Sequence, residues 1–109
     1  MLSDLTTRPT LSVQASRLIV DAAVAEARAM SVPVTVVAVD ESGVLKELVR
    51  MDGAAVASFG TRPGLALIAG GIPVVAAGKV AGAIGVAGAM TAAADRRIAE
   101  VALEKAVGG

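Results

Sequence analysis

An α+β domain with an amphipathic helix at each end and two antiparallel hairpins between them is the architecture the sequence predicts. Three observations carry that prediction. Apolar residues recur at helical spacing over residues 12–30 and again over roughly 91–107. Two strand-like runs, 34–40 and 44–51, flank the short connection Glu41-Ser42-Gly43. A second such pair, 72–75 and 79–86, turns about Ala77-Gly78. The order helix, strand pair, broken segment, strand pair, helix defines a layered arrangement. With 109 residues the chain is expected to be one domain, its first ten residues a tail. A domain of that size buries roughly two thirds of the surface its unfolded chain exposes, enough for one core.

The first helix opens at Ser12, a capping residue placed shortly after Pro9. Leu18, Ala22, Ala25 and Ala29 recur along one side, with Ile19 and Met30 widening the stripe, while Gln14, Arg17, Asp21 and Arg28 fall opposite. An alanine-rich inner face predicts close packing on a sheet, and Pro33 closes the helical region. In the second strand Lys46 and Arg50 share a face with Val44 and Leu48, so that face is expected to meet solvent or a partner. Asp52-Gly53 ends the strand. A helix begun at Ala54 cannot develop, because Gly60, Pro63 and Gly64 follow closely, and Gly70-Gly71 then turns the chain. Pro73 donates no ladder hydrogen bond and belongs at an edge or a strand start. The last helix is expected to turn Ile98, Val101, Ala102 and the Lys105 stem inward, with Asp95 in its first turn.

Composition removes much chemistry. Ten basic residues balance ten acidic ones, so no cationic excess exists to neutralise phosphates, and no nucleic-acid partner is expected. The absence of Cys rules out disulfides and thiolate sites, and the absence of His removes Ser–His triads and the usual haem ligand. No metal site is expected. The N-terminal residues lack a basic start followed by an apolar run, so the cytoplasm is the expected compartment. The apolar stretch 65–94 is long enough to span a bilayer, but Pro73, Lys79 and six glycines interrupt it. Its Ile and Val residues favour strands, and no membrane partner is expected.

Few groups remain that carry chemistry. Asp40-Glu41-Ser42-Gly43 resembles the start of a calcium loop but lacks the later ligands, so a hairpin turn is expected. Arg50 and Asp52 flank Met51 at a strand end, where side chains can converge on a ligand. Asp95 is a candidate acid/base, although an acid in a first helical turn also serves the helix dipole. The run 82–88 does not follow a phosphate-loop pattern, and close backbone packing explains its glycines more economically. Met30, Met51 and Met90 are conceivable haem ligands, yet Met usually fills cores.

Taken in order, several stretches resemble the GlcG/HbpS-like family, the haem-degrading or PduO C-terminal-like domain. They are Val32-Pro33-Val34 through Val39-Asp40 with Gly43, then Arg50-Met51-Asp52-Gly53-Ala54. Gly70-Gly71-Ile72-Pro73-Val74 and Gly78 with Gly82-Ala83-Ile84-Gly85-Val86-Ala87-Gly88 follow, and the flanking helices fit. The resemblance implies a profilin-like antiparallel sheet with flanking helices, assembled as a homodimer or a higher ring. It brings Gly70, Gly71, Pro73 and Gly88 beside Arg50 and Asp52 as ligand-binding candidates, leaves Asp52 and Asp95 as catalytic ones, and makes haem the cofactor to consider. Two departures stand out. The central alanine-rich helix of the family is missing after Ala54, and Thr91-Ala92-Ala93-Ala94 replaces a more polar approach to Asp95. Three functions follow in order: a small-ligand binder for haem or a small metabolite, an enzyme acting on a small hydroxy or oxo acid, and a non-catalytic assembly subunit. A homo-oligomer with its site near a subunit boundary is expected, since 55% of the residues are hydrophobic and net charge is zero.

Overall fold

A computed structural model describes residues 5–54, 72–89 and 91–106. Helix α1 (Val13–Ala29) starts as expected: the Ser12 side chain accepts from the Ala15 N–H at 3.0 Å. Ser16, fully buried, donates its hydroxyl to the Ser12 carbonyl at 2.7 Å, so its polar atom is satisfied inside the core. Strands β1 (Thr35–Asp40), β2 (Leu45–Arg50), β3 (Ile72–Ala76) and β4 (Lys79–Ala87) follow, and α2 (Ala92–Ala106) closes the order. The two hairpins and two terminal helices fall where the sequence predicts them.

The sheet runs β2-β1-β4-β3, with every neighbouring pair antiparallel. Both helices lie on one face and pack on each other as well as on the sheet. Val34, Val36, Ala38, Ile84, Val86, Ile72 and Val74 supply the sheet's side of that core. Alternation then puts Thr35, Val37 and Val39 on the opposite face. Gly82 lies where β4 pairs with the end of β1: a Cβ there would collide with the Val39 carbonyl, and Leu11 packs over it. The Leu11 N–H donates to the Ala81 carbonyl at 2.9 Å, which ties the tail to the sheet.

Two inner faces differ from expectation. In α1 the buried residues are Ser16, Ile19, Val20, Ala23 and Ala27, while Leu18 is 60% exposed and Ala25 and Ala29 are also exposed. The face is rotated by about one residue because Ile19 and Val20 have far more apolar area to bury than the alanines that mark the other stripe. In α2, Ile98 and Ala102 are buried as expected, joined by Ala99 and Asp95. Val101 is half-buried, and Lys105 turns outward, its ammonium 3.5 Å from Glu26 of α1.

The connection after β1 is a hairpin turn. Asp40 Oδ1 accepts from the N–H groups of Ser42 at 2.9 Å and Val44 at 3.0 Å, so the carboxylate is engaged by its own loop. Among the described residues, no helix is long and apolar enough to cross a membrane.

Candidate functional site

One end of the sheet gathers Arg50, Asp52, Gly88 and Asp95. Thr35, the first residue of β1, is registered with Arg50 of β2 on one side and Ala87 of β4 on the other. Beyond β2 the chain stays attached: the Met51 N–H donates to the Val34 carbonyl at 3.0 Å, and Met51 Sδ accepts from the Val34 N–H at 3.5 Å. The Ala54 N–H returns to the Met51 carbonyl at 3.0 Å, closing a turn with Gly53 at φ 87. Asp52 is exposed on that turn. Arg50 Nη2 donates to the Ala54 carbonyl at 3.2 Å. Among the described residues Arg50 enters no ion pair, and its side chain is exposed.

On the other side of Pro33 runs the link from β4 to α2. Gly88 has φ 123, and a Cβ there would come within 2.9 Å of the Pro33 carbonyl oxygen. This close backbone approach accounts for the glycine without a ligand. Asp95, 5% exposed, accepts from the Ala89 N–H through Oδ1 at 2.8 Å. Burial pushes its carboxyl above the ordinary range, and hydrogen bonds from the Ala89 and Gly88 backbone pull the other way. The carboxyl therefore holds the loop leading into α2. Arg50 shares the face of Thr35, away from the helices, whereas Asp95 belongs to a helix on the opposite face. The sheet separates the two groups that an acid/base and anion-clamp pair would need together.

Pro73 lies on edge strand β3, exposed and paired with Ala83, so the edge placement holds. It is not at this end of the sheet, since β3 begins opposite Ile84, three residues before Ala87. Gly70, Gly71 and the stretch in which the family's central helix would run lie outside the described residues. Thr35 is a polar residue that sequence reasoning passed over. Its side chain is completely buried and its hydroxyl has no hydrogen-bond partner. The only available signal was a lone hydroxyl inside a run of valine and alanine.

The donor set suits a carboxylate better than an iron. His, Cys and Tyr are absent from the sequence, Met30 packs against the core, and Met51 Sδ is already engaged. Among the described residues, neither Met30 nor Met51 is free to act as an axial haem ligand, and Met90 lies outside them. Among the described residues no group of three metal-ligating side chains comes together.

These features define a small α+β domain with an exposed arginine at one end of its sheet. The chain belongs to the family described as haem-degrading protein HbpS-like, which it matches over residues 11–61 and 57–104. The two stretches meet close to where the sequence departs from the family's central helix. Solved structures agree. A double mutant of Streptomyces reticuli HbpS superposes with TM-score 0.82 at 28% identity, covering 100% of this chain and 94% of that one. The Klebsiella pneumoniae protein ORFY gives TM-score 0.81 at 21% identity, with coverages of 100% and 99%. A structure described as a PduOC:heme complex gives 0.74 at 21% identity, covering 88% of this chain and 94% of that one. No curated protein matches the sequence.

Proposed function

We propose that this chain is a small-ligand-binding protein that works as a homo-oligomer. It takes a carboxylate-bearing ligand at the β1–β2 end of the sheet, with Arg50 as the anchor and Asp52 at the rim. The observation that carries this reading is an exposed guanidinium at the sheet end that, among the described residues, donates one 3.2 Å bond to a carbonyl and enters no ion pair. Arginine's planar fork matches a carboxylate in two-point fashion. The family's haem-degrading description makes haem the first ligand to test, engaged through its propionate carboxylates, and a small hydroxy or oxo acid the second. Titrating purified protein with micromolar haem while following the visible spectrum tests the first. Saturable change in the wild type, weakened about tenfold or more in Arg50→Ala, supports the reading. No change in the wild type removes haem as the ligand.

An enzymatic reading draws support from the raised carboxyl of Asp95, a property suited to acid/base work. Turnover of a small acid that disappears in both Arg50→Ala and Asp95→Ala, with folding intact, would favour it. Self-assembly is supported by apolar side chains left uncovered. Val44, Leu45, Val75 and Val80 are each more than half exposed, and they lie toward the sheet end opposite Arg50, Leu45 on edge strand β2 and Val75 on edge strand β3. Six-residue β2 spans only about 20 Å, so a standard interface of about 800 Å² per partner centred on those residues reaches toward the ligand end.

A further inference from the structure

Thr35 stands out in the sheet for a hydroxyl that nothing satisfies. The residue is 0% exposed, and Oγ1 has no hydrogen-bond partner. A buried hydroxyl without a partner is destabilising, and valine would fill the same space without that penalty. The register places Thr35 directly across from Arg50 on the same face, with Cβ atoms about 4.5–5.5 Å apart for such a pair. The orphaned donor and the under-used guanidinium are thus neighbours.

We infer that Thr35 is a ligand-contact residue, its hydroxyl donating to one oxygen of a small carboxylate whose other oxygen is held by Arg50. The inference rests on the Arg50 reading above and extends it to a ligand class. Because the Thr35 hydroxyl is fully buried, the ligand that reaches it is expected to be a compact acid of two or three carbons. Arg50 is exposed and, among the described residues, donates one 3.2 Å bond, so its side chain can turn toward the bound acid. Once bound, the acid satisfies the threonine hydroxyl, so one contact relieves a defect of the unliganded protein and adds affinity.

The test titrates wild type, Thr35→Val, Thr35→Ser and Arg50→Ala with acetate and glycolate, read by amide chemical shifts and by thermal unfolding. Wild type is expected to show saturable shifts centred on Thr35, Arg50 and Ala87. Thr35→Val should melt higher than wild type without ligand yet bind about tenfold more weakly, the worth of one hydrogen bond to a charged group. Thr35→Ser should retain wild-type affinity and keeps the test usable if the valine variant fails to fold, because loss of binding in the serine variant would itself contradict the inference. Wild-type affinity in Thr35→Val overturns the inference and leaves the Arg50 site standing. Haem binding that depends on Arg50, with no response to either acid, also overturns it. Absence of any response to acids or haem in the wild type removes the Arg50 reading itself.

Discussion

At the residue scale, Asp95 shows two opposing influences on one carboxyl. Burial raises its pKa, and the Ala89 and Gly88 N–H groups lower it, with burial the larger. A carboxyl whose folded pKa exceeds its unfolded one contributes stability that is fully present below the unfolded value. That contribution is lost as pH rises through the folded value. Asp95→Ala leaves the Ala89 N–H without its acceptor and should cost about 1–3 kcal/mol. Denaturant unfolding should show that cost to be larger near pH 3 than at pH 7. A cost that grows with pH would mean that the backbone donors outweigh burial. Asp95 was legible as a first-turn acid, since helix position follows from periodicity. Its loop-holding role was not, because that depends on where Ala89 lies in space. Thr35 was illegible for a related reason: a threonine in a strand is ordinary until its burial and missing partner are known.

At the element scale, the hairpins show how far local sequence reaches. The turn after β3 places Ala77 at φ 52 and Gly78 at φ 75, the paired positive values of a two-residue turn that suits strand twist. Glycine adopts that conformation easily, whereas alanine is strained in it by about 1 kcal/mol. Ala77→Asn should therefore raise unfolding stability by roughly 0.5–1 kcal/mol without altering ligand binding. A loss of stability would show that the turn is not of this type. Strand existence and hairpin pairing were readable because β-branched runs and glycine turns are local signals. The inner face of α1 was not, since two adjacent stripes competed and the sheet selected Ile19 and Val20 over the alanines. Strand order also escaped the sequence: placing β4 beside β1 depends on Gly82 admitting the Val39 carbonyl, a contact between distant residues.

At the scale of the whole molecule, exposed apolar side chains at one end of the sheet and the exposed Arg50 at the other are the two surfaces on which the proposed assembly and ligand binding depend. The family was legible from ordered motifs along nearly the full chain, whereas the ligand was not, because the motifs fix a backbone and few chemical groups. Self-association predicts that Leu45→Glu, combined with Val80→Glu, releases monomers while preserving the fold, since it places charge on exposed apolar positions. Sedimentation velocity at micromolar concentration reads this directly, and an unchanged assembly would exclude that surface. The central claim is that this chain is an oligomeric binder of a carboxylate ligand anchored by Arg50. Native mass spectrometry of the protein with a small acid or haem present tests it most directly. A multiple of 10.7 kDa carrying added ligand mass that Arg50→Ala loses is expected; a bare monomer of 10.7 kDa would contradict both oligomer and binder.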